Sequence, residues 1–203
     1  MTDLRARWLT AWDAPGTRRF RRNPGSWVGL AIVLSLIALA VFAPWIADRP
    51  PDQQNLRMRL EPPSLEHPIG TDELGRSMFA RVAYGARVSL LTGLVPVLAA
   101  LLIGSTIGLV AGYFRGRLDG FLMRVMDVLL AFPSLLLALA VVGTLGPGLV
   151  NAVIAIAIVD VPQYARLVRS VVLGAREEDY VQAARALGAR DGRLMLRHVL
   201  PNA

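Results

Sequence analysis

Residues 88–114 of the chain read VSLLTGLVPVLAALLIGSTIGLVAGYF, which is 27 consecutive residues without a charged side chain. Two further uncharged stretches occur, one of 21 residues at 27–47 and one of 32 residues at 128–159. Because a helix needs about 20 apolar residues to cross the hydrocarbon core of a bilayer, each stretch predicts membrane-spanning structure. The first stretch is too long for a signal peptide and has no small-residue cleavage site.

The 128–159 stretch is too long for one span, and it contains the turn-forming sequence Gly143-Thr-Leu-Gly-Pro-Gly148. Three glycines and a proline within six residues predict a helical hairpin. We expect its arms at about 121–142 and 149–168, each extended by polar residues at the end away from the turn. The predicted fold class is therefore an all-α integral membrane protein with about four transmembrane helices in this chain.

Arginine residues are distributed unevenly between the two sides that four spans would create. Six lie within residues 1–26, three at 115–124 and seven at 166–197, whereas the 48–87 loop has six and the hairpin turn none. Since positively charged residues are retained on the cytoplasmic side, both termini are predicted to be cytoplasmic. The predicted segments are a cytoplasmic segment at 1–26, a first transmembrane helix at 27–47, an extracytoplasmic loop at 48–87 and a membrane core at 88–203. Within the core we expect helices at about 88–114, 121–142 and 149–168, followed by a cytoplasmic loop at about 174–203.

Composition excludes several classes of function. The 203-residue chain has no Lys and no Cys, and its only His residues are His67 and His198. Without Lys the chain cannot form a P-loop, and without Cys it cannot form disulfides, iron–sulfur clusters or Cys-built zinc sites. The formal net charge of +7 fits either a membrane protein or a nucleic-acid binder.

The predicted extracytoplasmic loop contains the motif His67-Pro-Ile-Gly-Thr-Asp-Glu-Leu-Gly-Arg76. We expect Asp72 to pair with Arg76 or Arg81 and to fix the loop onto the second span. The candidate residues of this motif are Gly70, Thr71, Asp72, Gly75 and Arg76.

Three glycines, Gly104, Gly108 and Gly112, recur every four residues along the second span. They lie on one face of the predicted helix, where small residues let two helix backbones approach closely in lipid. We therefore expect this face to pack tightly against another helix.

Asp160 lies about 12 residues from the hairpin turn, or ~18 Å along a helix, and is therefore predicted to lie inside the bilayer. An intramembrane carboxylate is a candidate residue of a translocation path. Alternatively, Asp160 can cap a helix that restarts at Val161-Pro162, and the residues alone leave both interpretations open. Asp127 is expected to form a local ion pair with Arg124, three residues before it.

Two short helices are predicted near the end of the chain. Acidic residues at 177–179 precede Tyr180, Ala184 and Leu187, which follow at helical spacing, and Gly188 fits the helix stop. Asp191 can cap a second helix that carries Leu194, Met195 and Val199 and ends at Pro201. The small pair Ala183-Ala184 would let a partner's groove approach closely. Such helices indicate partner binding, although a DNA-binding helix-turn-helix has a similar size.

The segment Tyr180-Val-Gln-Ala-Ala-Arg-Ala-Leu-Gly188 and the later His198-Val-Leu-Pro201 together resemble the EAA loop of ABC importer permeases. In that pattern Glu-Ala-Ala is followed by three residues, a Gly, nine residues and Ile-x-Leu-Pro, and the spacing here is the same. Other motifs are similar to those of the dipeptide, oligopeptide and nickel branch, and the resemblance runs from about residue 18 to the end. These motifs are His67–Arg76, Tyr84–Leu90, Gly112–Asp119, Ala131-Phe-Pro133 and Phe20-Arg-Arg-Asn23.

Three positions depart from the family pattern: Gln182 replaces Glu, His198 replaces Ile, and Ser77 stands where Asp is frequent. Gln182 keeps the size and hydrogen bonding of Glu but removes the charge on which a salt bridge to a partner would rest. The family has six spans, two of which follow the loop. The resemblance therefore predicts that the permease core at 88–203 is truncated at its C-terminus.

The resemblance implies a permease subunit of the bacterial inner membrane that is not an enzyme and transports di- or oligopeptides or related solutes. The implied partners are a second permease subunit, two ATPase subunits, an extracytoplasmic solute-binding protein and membrane lipid, without nucleic acid. ATP would be hydrolysed by the partners, so this chain is expected to bind no cofactor and no metal. The implied ATPase-coupling residues are Tyr180, Gln182, Ala183, Ala184, Leu187, Gly188, Leu200 and Pro201.

Three alternatives belong to other functional classes. A secondary transporter or channel would use Asp160 as its ion or proton site. A membrane-tethered DNA binder would use residues 177–203. An intramembrane aspartyl protease would need Asp127 and Asp160 at one depth, whereas their distances from the turn predict depths that differ by ~6 Å.

Overall fold

The structure of the protein is a computed structural model that describes residues 21–47 and 49–202. Most of the predicted cytoplasmic segment at 1–26 therefore lies outside the described residues. Regular structure in the described ranges is helical, apart from one isolated bridge between Thr71 and Ser77. The predicted all-α fold class is confirmed.

Helix α1 runs from Pro24 to Ile46. The Asn23 side chain accepts a hydrogen bond from the Gly25 N–H at 3.0 Å, and Pro24 occupies the first turn. Both features favour a helix start, since the N-cap oxygen satisfies a free N–H and Pro has no N–H to lose. The helix therefore begins three residues before the predicted span at 27–47.

Helix α2 runs from Met78 to Phe114 and is 37 residues long. The Ser77 hydroxyl accepts a hydrogen bond from the Ala80 N–H at 3.3 Å at the start of this helix. The loop consequently ends ten residues before the predicted boundary at 87. Arg81 and Arg87 thus lie on the helix, where long basic side chains at a span's end can reach the interface.

The predicted single helix at 121–142 is instead two helices, α3 (Gly116–Ala131) and α4 (Ser134–Leu145), which are bent by 95°. Phe132 adopts φ −87° and ψ 138° at the break. A residue that precedes proline is driven to this extended conformation, because the proline ring clashes with a helical neighbour. Pro133 therefore ends α3 in the middle of an apolar stretch.

Helix α5 runs from Leu149 to Ala175 and continues without a break through Pro162. It is seven residues longer than the predicted arm at 149–168. Because the helix does not restart at Val161-Pro162, the interpretation of Asp160 as a helix cap is wrong. A proline is tolerated inside a membrane helix when neighbouring groups compensate for the missing hydrogen bond.

Within the described residues, α1, α2 and α5 are each long and apolar enough to cross a membrane. The bent pair of α3 and α4 adds a fourth span if it is counted as one. The chain divides into two compact units, residues 1–91 and 92–203. The first contains α1 and the following loop, and the second contains the helices that carry the candidate site.

In the second unit, the glycine face of α2 lies against the backbone of α5. A Cβ atom on Gly104 would lie 2.6 Å from the Val161 carbonyl oxygen, and one on Gly112 would lie 2.9 Å from Val172 Cγ1. Real Cβ atoms do not approach other atoms so closely, so glycine is required at both positions. This close approach is the kind that small residues allow between helices in lipid.

We predict that Gly108→Ala destabilises the protein by about 1–3 kcal/mol, because an added methyl group overpacks the contact between α2 and α5. The new Cβ would lie 2.9 Å from the Arg169 backbone nitrogen and 3.0 Å from Val168 Cβ. Thermal unfolding in detergent measures the change.

The control is Gly93→Ala on the same helix, where nothing lies within 4 Å of the added Cβ. This variant should be neutral or slightly stabilising, since Ala favours helix. Equal stability of the two variants would contradict the packing argument.

Candidate functional site

The candidate site is the C-terminal segment, which we define as residues 176–202. It consists of helix α6 (Asp179–Ala186), the short helix α7 (Asp191–Leu194), a π-helical turn (Met195–Val199) and a 3-10 turn (Leu200–Asn202).

Gly188 ends α6 in a left-handed conformation, with φ +82°. Its N–H donates to the Arg185 carbonyl at 2.9 Å, and the Ala189 N–H donates to the Ala184 carbonyl at 3.1 Å. These two bonds form a Schellman motif, which satisfies the last carbonyls of a helix and favours glycine at this position. The chain therefore turns sharply between α6 and α7.

An apolar cluster holds the C-terminal segment against the ends of α2 and α5. Val181, Leu194 and Val199 are fully buried, and they pack with three residues of the long helices. Those three residues are Leu109, Tyr113 and Val172. The segment is thus fixed to the long helices by its own buried face, which leaves the opposite face exposed.

The predicted coupling residues lie on both faces of the segment. Ala184 packs against the apolar cluster, so it is not available to a partner as its pairing with Ala183 suggested. The exposed residues are Tyr180, Gln182, Ala183, Leu187, Gly188, Leu200 and Pro201. Leu187 is 89% exposed.

Gln182 and Asp191 make contacts within the chain. The Gln182 Nε2 donates to the Arg176 carbonyl oxygen at 3.1 Å. The prediction that Asp191 caps α7 is wrong, because Asp191 is the first helical residue and Arg190 precedes it without a side-chain cap. The Asp191 carboxylate instead accepts a hydrogen bond from the Tyr113 hydroxyl at 2.5 Å.

Two ion pairs tie helix α3 and the residue before it to α5 and the C-terminal segment. Arg169 donates from Nε and Nη2 to the two carboxylate oxygens of Asp119, at 2.5 Å and 2.6 Å. Such a two-bond pair fixes orientation as well as distance. Arg115 Nη2 lies 2.6 Å from Glu177 Oε1 at the start of the C-terminal segment.

The predicted pair between Asp127 and Arg124 is wrong. Asp127 Oδ1 accepts from Arg166 Nη2 at 2.6 Å, so its partner lies on α5 and not on its own helix. The bend at Pro133 separates α3 from α4, and α3 packs beside α5 through Met126, Val161 and neighbouring residues. Tertiary packing thus supplies a nearer cation than the helix itself does.

In the first unit, Asp72 organises the loop at 49–77. One carboxylate oxygen accepts from the Leu74 and Arg76 N–H groups, each at 2.9 Å. The other accepts from Arg76 Nε at 2.7 Å and Arg81 Nη1 at 2.8 Å, so both predicted pairs form. Desolvation raises the pKa of Asp72, but the hydrogen bonds from Arg76 and Leu74 and the charge of Arg76 outweigh it and lower the pKa to about 2.

The conformation of the same loop depends on Gly70, Thr71 and Gly75. Gly70 and Gly75 have φ of +79° and +67°, and a Cβ on either would collide with backbone of residues 55 or 61. The Thr71 hydroxyl donates to the Met58 carbonyl and accepts from the Glu61 N–H. These residues of the motif hold the loop together, which gives them a structural role.

Residues 104–203 match the family described as binding-protein-dependent transport system inner membrane component. Residues 8–63 match the N-terminal transmembrane domain of oligopeptide transport permease C. The chain therefore belongs to the family of binding-protein-dependent inner-membrane permeases.

Among its relatives, the dipeptide transport system permease protein DppC of Alkalihalophilus pseudofirmus is 48% identical over 185 residues, 91% of this chain. The di/tripeptide permease DppC of Pseudomonas aeruginosa is 47% identical over 189 residues, 90% of this chain. The glutathione permease GsiD of Pectobacterium atrosepticum is 42% identical over 202 residues, 98% of this chain. The chain covers 61%, 62% and 64% of the lengths of these relatives.

Asp160 of the permease lies in α5 and is half-buried. Within residues 21–47 and 49–202, no hydrogen bond or ion pair to its carboxylate is formed. Across the same residues, no three His, Asp or Glu side chains gather as a metal ion would require.

Three residues of the site, Tyr113, Arg176 and Arg185, were not predicted from the sequence. Tyr113 appeared only as part of the Gly112–Asp119 motif, with no role assigned. No local signal could have paired Tyr113 with Asp191, because 78 residues separate them. Only the packing of α2 against α5 and the C-terminal segment brings them together.

We predict that the loop of the permease is stable above pH 4 and loosens as the pH falls toward 2. The pKa of Asp72 is lower in the folded loop, at about 2, than its ordinary 3.8. The stabilising effect of the Asp72 carboxylate is therefore complete above the pKa of the unfolded chain. It is lost as the pH falls through the pKa of the folded loop. Hydrogen exchange at the Leu74 and Arg76 amides, corrected for intrinsic rates, measures the loosening.

Asp72→Asn should exchange faster at neutral pH and lose this pH dependence, since the amide accepts hydrogen bonds but carries no charge. Glu73→Gln, at an exposed neighbouring acid, should behave like the unchanged protein. An unaltered pH profile in Asp72→Asn would refute the role of Asp72.

Proposed function

We propose that this chain is a permease subunit of an ATP-binding-cassette importer and forms part of the translocation path for di- or oligopeptides or related solutes. The names of its relatives, which specify dipeptides, di/tripeptides and glutathione, support this substrate class. The proposed partners are a second permease subunit, two ATPase subunits and an extracytoplasmic solute-binding protein. The chain would bind no cofactor, because ATP hydrolysis belongs to the ATPase subunits.

The observation that carries the proposal is the exposed face of the C-terminal segment. Ala183, Leu187 and Gly188 lie on this face beside the sharp turn, while the opposite face is buried against α2 and α5. A protruding apolar side chain among small residues suits insertion into a groove of a partner. We therefore propose that this face docks on an ATPase subunit.

The same geometry supports a mechanism. When the ATPase subunits close on ATP, the docked segment would move with them. Its buried face and the Arg115–Glu177 pair would carry that motion to α2, α3 and α5. The spans would then alternate between inward-open and outward-open arrangements by rigid-body movement.

We also propose that the chain lies in a bacterial inner membrane with its N-terminus in the cytoplasm. The distribution of Arg residues supports this orientation. The C-terminal segment would then face the cytoplasm, where ATPase subunits are found, and the loop at 49–77 would face the solute-binding protein.

We predict that Leu187→Cys in the assembled transporter crosslinks to an ATPase subunit in intact cells. The chain has no Cys, so a single introduced thiol gives an unambiguous product. The crosslinked product is identified by mass spectrometry. Leu65→Cys is the matched control, because Leu65 is also fully exposed but lies in the loop at 49–77.

Leu65→Cys should react with a membrane-impermeant thiol reagent added outside and should not crosslink to the ATPase. Absence of an ATPase crosslink from Leu187→Cys, in a transporter that still takes up solute, would refute the docking site. Labelling of Leu187→Cys from outside would refute the orientation.

We predict that Gly188→Glu abolishes solute uptake while membrane insertion is retained. Glu at φ +82° is strained, and its side chain would project into open space where the partner docks. Gly188→Asn is the control, since Asn tolerates the left-handed conformation and adds no charge; it should retain most uptake. Uptake assays with membrane-fraction blots measure both, and normal uptake by Gly188→Glu would contradict the docking role.

A second candidate function is a secondary transporter or channel. The carboxylate of Asp160 favours it, because this group is half-buried and has no hydrogen-bond or ion-pair partner among residues 21–47 and 49–202. In that case uptake would persist without ATP, collapse when the proton gradient is removed, and be lost in Asp160→Asn. An importer driven by ATPase subunits would instead lose uptake when ATP hydrolysis is blocked.

A further inference from the structure

Tyr113 occupies the place where the long helices meet the C-terminal segment. It lies in the last turn of α2 and is 3% exposed, packed among Val172, Val181 and Leu194. A phenylalanine would fill this apolar position equally well. Apolar packing therefore does not account for the hydroxyl group of Tyr113.

The Tyr113 hydroxyl joins both sides of the turn at Gly188. It donates to Asp191 Oδ1, at the start of α7, at 2.5 Å. It also accepts from Arg185 Nη2, at the end of α6, at 3.4 Å. Because one partner precedes the turn and the other follows it, the hydroxyl fixes the angle between the two short helices.

The ring and backbone of Tyr113 make further contacts with the segment. The guanidinium carbons of Arg176 and Arg185 lie 5.6 Å and 5.8 Å from the ring centroid, within the range of cation–π attraction. Arg176 Nη1 also donates to the Tyr113 carbonyl oxygen. One residue of α2 thus contacts the end of α5 and both short helices.

Tyr113 is also connected to the close contact between α2 and α5. It directly follows Gly112, which lies against Val172 of α5. A shift of the C-terminal segment that moved Tyr113 would therefore act on the close contact between α2 and α5. Packed interfaces of this kind do not deform gradually but pass between discrete arrangements.

We propose that Tyr113 is the positioning residue that transmits movement of the C-terminal segment to the membrane helices, through its hydroxyl bonds to Asp191 and Arg185. This inference rests on the proposed function. Tyr113 lies beneath the docking face and is buried, so it would not contact the ATPase. Its loss should therefore weaken the coupling of ATP hydrolysis to transport and leave ATPase binding intact.

The test uses the complete transporter, with both permeases, the ATPase subunits and the solute-binding protein, in proteoliposomes. For Tyr113→Phe the ratio of solute taken up to ATP hydrolysed should fall by about tenfold, as expected for loss of a hydrogen bond to a charged group. Co-purification of the ATPase subunits should be unchanged. Asp191→Asn should have a similar effect, and the double variant should be no worse than either single variant.

Tyr164→Phe is the matched control. It removes the same hydroxyl group from a partly buried tyrosine of α5, and no hydrogen bond of that hydroxyl is formed within the described residues. Its coupling ratio should equal that of the unchanged transporter. This control separates loss of the Tyr113 link from any general effect of replacing a tyrosine.

A normal coupling ratio in both Tyr113→Phe and Asp191→Asn would overturn the proposal. So would a fall in uptake that only parallels a loss of bound ATPase, because that result indicates a structural role. If Tyr113→Phe does not insert into the membrane, the coupling ratio of Asp191→Asn tests the proposal instead, because Asp191 is the other partner of the Tyr113 hydroxyl bond. Failure of the unchanged permease to bind any ATPase would instead refute the proposed function itself.

Discussion

The backbone contact between α2 and α5 is the constraint on which the candidate site depends. Gly104, Gly108 and Gly112 bring the two helices so close that even a methyl group cannot be accommodated at these positions. Because the helices meet along this face, their ends form one apolar surface at Leu109, Tyr113 and Val172. The C-terminal segment packs on that surface, so its position depends on the glycine face that brings the two helices together.

Charged residues add orientation to this apolar packing. Asp119 and Asp127 on α3 both pair with arginines of α5, and Glu177 pairs with Arg115 just before α3. The Asp119–Arg169 pair is largely shielded, whereas the Asp127–Arg166 pair is about half-exposed, and exposed pairs contribute little to stability. Their value lies in fixing which faces of α3 and α5 meet.

Much of the fold could be predicted from local features of the sequence. Uncharged stretches located the membrane helices, and Gly143–Gly148 located the hairpin turn, because apolar length and turn chemistry act over a few residues. The spacing around Gly188 likewise indicated the helix stop. The bend at Pro133 was missed, although Phe132 and Pro133 contain the signal, because the apolar stretch on either side of them suggested one continuous helix.

By itself the sequence determined the fold class, the family and the helix stop at Gly188, since hydrophobic length, helix stops and ordered motifs are properties of neighbouring residues. Only the tertiary structure decided the partners of the charged and polar side chains. Asp127 pairs with Arg166 and not with Arg124, and Asp191 binds Tyr113 and does not cap its own helix. The physical reason is that a carboxylate binds the donor that packing brings nearest, and those donors lie 39 and 78 residues away along the chain.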